Sequence, residues 1–68
     1  MEKITKRRFD LVGKTIYREN RDCSYWELTD WRDVQSCYDA VKLDSETLER
    51  TTETAMLTPN DLIGDYVL

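Results

Sequence analysis

Sixty-eight residues, 40% hydrophobic and 35% charged, hold one small core and leave no room for a second, so residues 1–68 read as a single domain. The net charge is −4, histidine is absent, and the longest apolar runs, Ala55–Leu57 and Tyr66–Leu68, are three residues long. That composition excludes a membrane-spanning helix, histidine-based acid–base catalysis and a closed zinc site built from Cys23 and Cys37 alone. The charge is unevenly laid out. Residues 1–21 carry seven of the ten bases and three of the fourteen acids, leaving three bases and eleven acids to residues 22–68. One end therefore attracts anions, and the other attracts cationic surfaces.

In chain order, Ile4–Asn20 fits two patterns. As a helix it places Ile4, Phe9, Leu11, Val12 and Ile16 within about 160° of one another. As a β-hairpin it places Phe9–Val12 and Thr15–Arg18 on either side of a Gly13-Lys14 turn, with Leu11 opposite Ile16. Glycine costs about 1 kcal/mol inside a helix and nothing in the turn, which favours the hairpin. Glu19–Ser24 reads as a loop. Tyr25–Leu28 is aromatic-rich enough for a third strand, although Ser24 and Glu27 also match a capping box.

The spacing of Trp31, Val34, Tyr38 and Val41, with Cys37 beside them, predicts a helix over Thr29–Leu43. Ser45 caps a shorter helical stretch through about Thr54, thin in apolar residues and diluted by threonines. Thr58-Pro59-Asn60-Asp61 then carries a helix-start signal, followed by Leu62, Ile63, Tyr66 and Val67. That tail reads as a docked helical turn or as a segment ordered by a partner. The expected fold is a small α+β domain, with an N-terminal hairpin, extended or not by a third strand, packed on one main helix. An all-α domain of three or four short helices is the alternative.

Three constellations bear on function. Lys6-Arg7-Arg8, with Lys3, Lys14 and Arg18, could contact phosphates, and Phe9, Tyr17 and Tyr25 could stack on bases. A solvated surface balanced by the acidic half is the plainer account. Glu46, Glu49 and Glu53 share one face if their segment is helical, and could present a carboxylate field to a partner's basic groove. An ordinary solubilising face is the plainer account there. Five large aromatics exceed what so small a core buries. Trp31 and Tyr38 are assigned to the core, and Tyr25, Trp26 and Tyr66 to an interface.

Without a catalytic, metal or nucleotide motif, the sequence predicts a non-enzymatic, cofactor-free regulator or inhibitor acting by protein–protein contact. Its partner is a larger protein with a basic, nucleic-acid-handling surface, as with small phage or mobile-element inhibitors, an analogy of size and acidity alone. A nucleic-acid-binding module using the basic end is the alternative, and a structural homodimer joining basic to acidic ends is a third. Lacking an apolar N-terminal signal segment, the chain reads as cytoplasmic, with its two thiols reduced rather than paired and no affinity for membranes.

Overall fold

Along Ser24–Thr29 burial alternates residue by residue: Ser24, Trp26 and Leu28 point inward, while Tyr25, Glu27 and Thr29 stay half-exposed. A period of two is the signature of a strand with one face on a core. The computed structural model describes residues 1–68 and builds them into one six-stranded antiparallel sheet with no helix. The strands are β1 (Glu2–Lys3), β2 (Thr15–Arg18), β3 (Ser24–Arg32), β4 (Cys37–Leu43), β5 (Arg50–Leu57) and β6 (Tyr66–Val67). Their order is β1-β6-β2-β3-β4-β5, so the last strand slots between the first two.

The α+β expectation is therefore corrected to all-β, and the all-α alternative falls with it. Where a helix was predicted over Thr29–Leu43 there is a β3–β4 hairpin closed by Asp33–Ser36. Two features explain the misleading period. A bulge between Leu28 and Asp30 shifts the register, so that Leu28 opposes Ala40 and Trp31 opposes Tyr38 on the same face. A bulge inserts one residue, turning the strand spacing of two into the three that a helix also shows. Val34, counted as a core position, is 93% exposed at the hairpin turn.

The second predicted helix, Ser45–Thr54, is a turn leading into β5; its Thr51, Thr52 and Thr54 are strand formers. The tail after Thr58 is a series of turns followed by β6, neither a helix nor a loose segment. Its start signal does act locally. Thr58 N–H donates to Asp61 Oδ2 and Asp61 N–H to Thr58 Oγ1, each at 3.1 Å. Gly64 then adopts φ +96° and reverses the chain into β6.

At the N-terminus, Thr15–Arg18 is a strand but Phe9–Val12 is not. Gly13 still makes the turn, at φ +88° with Lys14 N–H bonded to Leu11 C=O. The segment between β1 and β2 instead crosses the inner face of the sheet, as does the segment between β5 and β6. Ile4, Leu11 and Leu62 drop from these coverings onto Ile16, Trp26, Leu28, Tyr38, Ala40, Leu57 and Val67 to form the core. Two polar anchors hold the coverings down. The Tyr38 hydroxyl donates to Arg8 C=O at 2.8 Å and accepts from Leu11 N–H at 3.3 Å. Arg18 on β2 pairs with Asp65 at 2.9 Å, both side chains buried, and also donates to Asp61 C=O at 3.0 Å.

Candidate functional site

The outer face of the sheet has no covering segment, and what it presents follows from strand register. Tyr66 on β6 lies opposite Tyr17 on β2, which lies opposite Tyr25 on β3. Each alternates with buried strand neighbours, Ile16 and Arg18 for Tyr17, Ser24 and Trp26 for Tyr25 and Val67 for Tyr66, so all three point outward. They form a row across three adjacent strands, with Lys3 next to Tyr66 at one end and Leu43 next to Tyr25 at the other. The Tyr17 and Tyr25 rings stack at 4.8 Å between centroids. All three remain half-exposed. Cys23 and then burial push the Tyr17 hydroxyl above its ordinary pKa, so it remains a donor at neutral pH.

Of the three predicted interface aromatics, Tyr25 and Tyr66 are thus brought onto one face. Trp26 is corrected: it is 7% exposed, because its even position on β3 turns it inward. Its indole N–H donates to Ser24 Oγ at 2.8 Å, and Ser24 donates in turn to Asp22 at 2.5 Å. Tyr17, placed by sequence only as a base-stacking candidate, is the central member of the row. Its strand spacing relative to Ile16 was the signal available.

The predicted acidic face is also rearranged. Without a helix, Glu46, Glu49 and Glu53 do not share a stripe. Glu46 and Glu49 sit in the β4–β5 turn, exposed and free of ion pairs, while Glu53 lies on β5 at 3.9 Å from Lys42. The turn is built around Asp44, whose carboxylate accepts the N–H groups of Glu46 and Thr47 at 2.8 and 3.1 Å. Those two bonds hold Asp44 below the ordinary carboxylate range. Ser24 does the same to Asp22, and Arg50 to Glu27 through a two-point ion pair. Beside β5, Asp22, Ser24, Lys42, Asp44, Thr51 and Glu53 border a polar cleft of about 460 Å³.

The basic cluster splits as well. Arg8 is neutralised by Asp10 and Glu2, at 2.9 and 3.0 Å, whereas Lys6 and Arg7 are exposed and make no ion pair. They lie in the covering segment of the inner face, away from the tyrosine row. Only one ion pair, Arg18–Asp65, joins the basic first third of the chain to the acidic remainder. The basic first third and the acidic remainder are therefore left largely unpaired with each other. Cys23 and Cys37 are free thiols, one exposed and one buried. No three His, Cys, Asp or Glu side chains are placed to hold a metal ion.

Compared with known proteins, the chain matches no family model, no curated protein and no solved structure.

Proposed function

We propose that this protein is a non-enzymatic regulator that works by protein–protein contact, docking its uncovered sheet face on a larger protein with a basic surface. The observation that carries this is the row Tyr66–Tyr17–Tyr25, three half-exposed aromatic rings side by side on one face. Tyrosine offers a large contact area, little side-chain entropy to lose and one hydroxyl to satisfy, which is why it recurs at the centre of interfaces. The acidic β4–β5 end supplies long-range attraction to a cationic partner, acting mainly on the association rate. A basic surface that normally handles nucleic acid is the kind of target such an end would mask.

The test uses the protein as bait in cell lysate, beside a variant carrying Tyr17→Ser, Tyr25→Ser and Tyr66→Ser. Proteins retained by the parent at low salt should be basic, should be released by salt, and should be lost from the triple variant. Identical capture by both baits would overturn the proposal.

The nucleic-acid reading keeps one supporting observation, the unpaired Lys6 and Arg7. A mobility shift at low salt that disappears with Lys6→Ala and Arg7→Ala would favour it over protein contact.

A further inference from the structure

The two edges of the sheet differ. One ends in β1, only two residues long; the other ends in β5, which runs for eight residues and pairs with β4 alone. An unpaired antiparallel edge presents a row of backbone donors and acceptors, and folded proteins usually blunt such edges with proline, a bulge facing the edge or a covering segment. The β5 edge has no proline and no covering segment. Arg50–Thr54 and Met56 are all exposed, the strand contains no proline, and neither covering segment includes it. Its one interruption is a bulge at Thr51–Glu53, where Val41 opposes Thr54 and Leu43 opposes Arg50 and the Glu53 N–H donates to Thr51 Oγ1 at 3.2 Å; from Thr54 to Leu57 the strand pairs regularly.

Charge decides what would pair there. The stretch from Asp44 to Leu57 carries four acids and one base, and that base, Arg50, is committed to Glu27 at 2.8 Å. A second copy would bring a like-charged strand against this edge, which electrostatics opposes. A segment bearing lysine or arginine on alternate positions complements it instead. Strand pairing also fixes where those side chains go. Ala55 and Leu57 turn toward the core, so Glu53 shares their side and stands at the polar cleft with Asp22 and Asp44, three carboxylates there against the one cation of Lys42, 4.0 Å from Asp22 and 3.9 Å from Glu53. Thr54 and Met56 take the other side, opposite Val41 and Asp39. An added strand would thus lay its cations toward the cleft and its small or apolar side chains beside Thr54 and Met56.

We infer that the free edge of β5 accepts an extended basic segment of the partner as a seventh strand, with alternate Lys or Arg side chains directed to the cleft at Asp22, Asp44 and Glu53. This rests on the protein–protein reading above and specifies the chemistry of the partner segment. In strand addition the backbone bonds supply affinity and the alternate side chains supply selectivity.

The probe is an eight-residue peptide of alternating lysine and threonine, titrated into the isotope-labelled protein and followed by NMR. Shifts should centre on residues 50–57 and the cleft, with intermolecular contacts between peptide and β5 α-protons. Two further peptides, N-methylated on one or the other alternate set of amides, separate strand pairing from charge attraction. One should bind at least about tenfold more weakly than the parent peptide, and the other should bind like it. Glu53→Lys should also weaken the parent peptide at least about tenfold. Equal binding by all three peptides, shifts confined to Glu46 and Glu49, or no binding would overturn the inference. The triple tyrosine variant should bind the peptide unchanged. Peptide binding alongside identical lysate capture by both baits would sink the tyrosine contact and leave strand addition standing.

Discussion

Tyr38 shows how much of this fold hangs on single polar atoms. Its ring fills the core, and its hydroxyl holds the N-terminal covering segment through Arg8 C=O and Leu11 N–H. Burial pushes that hydroxyl above the ordinary tyrosine pKa, so it stays protonated and able to donate. Tyr38→Phe keeps the ring and strands the buried N–H of Leu11, at a cost of about 1–3 kcal/mol in urea unfolding. A loss under 0.5 kcal/mol would mean that water replaces the hydroxyl. The Arg18–Asp65 pair is the other such point. Asp65→Asn leaves the Arg18 cation buried without its counter-ion and should cost about 3–5 kcal/mol, whereas replacing both partners by apolar residues should cost less. The comparison is made by double-mutant cycle, and a double variant worse than the single would contradict it. Leu48 works in the opposite direction. It sits at φ +59° in the β4–β5 turn, a region that costs a side-chain-bearing residue about 1–2 kcal/mol. Leu48→Asn, which tolerates that region better, should raise the thermal midpoint.

At the scale of elements, β2 and the first half of β3 were legible, whereas β1, β6 and the β3–β4 hairpin were not. Thr15–Arg18 and Tyr25–Leu28 show in the sequence because Ile16, and then Trp26 and Leu28, alternate with outward residues, the first strand following the Gly13 turn. The β3–β4 hairpin was hidden twice over. Its bulge at Thr29 puts Leu28 and Trp31 on one face with helical spacing, and its turn, Asp33-Val34-Gln35-Ser36, contains no glycine. Ser36 takes the left-handed conformation instead, at φ +53°. The candidate site followed the same division. Tyr25 and Tyr66 were recognisable as surplus aromatics, but that Tyr17 joins them depends on β6 crossing back between β1 and β2, which no local pattern encodes. The acidic stripe failed because i, i+3, i+7 spacing means a shared face only on a helix. Since β6 bridges β1 and β2, removing Tyr66–Leu68 should abolish cooperative unfolding rather than merely fray an end. A truncated chain with an unchanged thermal transition would contradict that.

For the molecule as a whole, the basic first third and the acidic remainder stay largely unpaired with each other, and all ion pairs but Arg18–Asp65 form within one or the other. Asp10, Asp22, Glu27, Asp44 and Asp61 are all held below their ordinary values, by neighbouring arginines, hydroxyls or backbone N–H groups. A carboxyl whose folded pKa is depressed stabilises fully above its unfolded value, near 4, and loses that contribution as pH falls through the folded one. Asp65 has the opposite sign. Burial raises it against the pull of Arg18, so its contribution is full below about 3.9 and falls as pH rises through the folded value. Five groups against one predict a thermal midpoint that drops between about pH 4 and pH 2; a midpoint that rises over that range would reverse the assignment. A homodimer joining basic to acidic ends is the competing account of the charge separation. Sedimentation at about 20 mM and about 500 mM salt should show a monomer at both, whereas that dimer would appear only at the lower.

The central claim is that the uncovered face bearing Tyr66, Tyr17 and Tyr25 is where this protein touches its partner, and site-specific photocrosslinking tests it most directly. A benzophenone amino acid is placed in turn at Tyr17, Tyr25 and Tyr66, and as controls at Phe9 and Ile63, which are exposed in the covering segments. Irradiation in cells should give the same protein adduct from all three row positions and none from the controls. Adducts from Phe9 or Ile63 with none from the row would place the contact on the other side of the molecule and contradict the account.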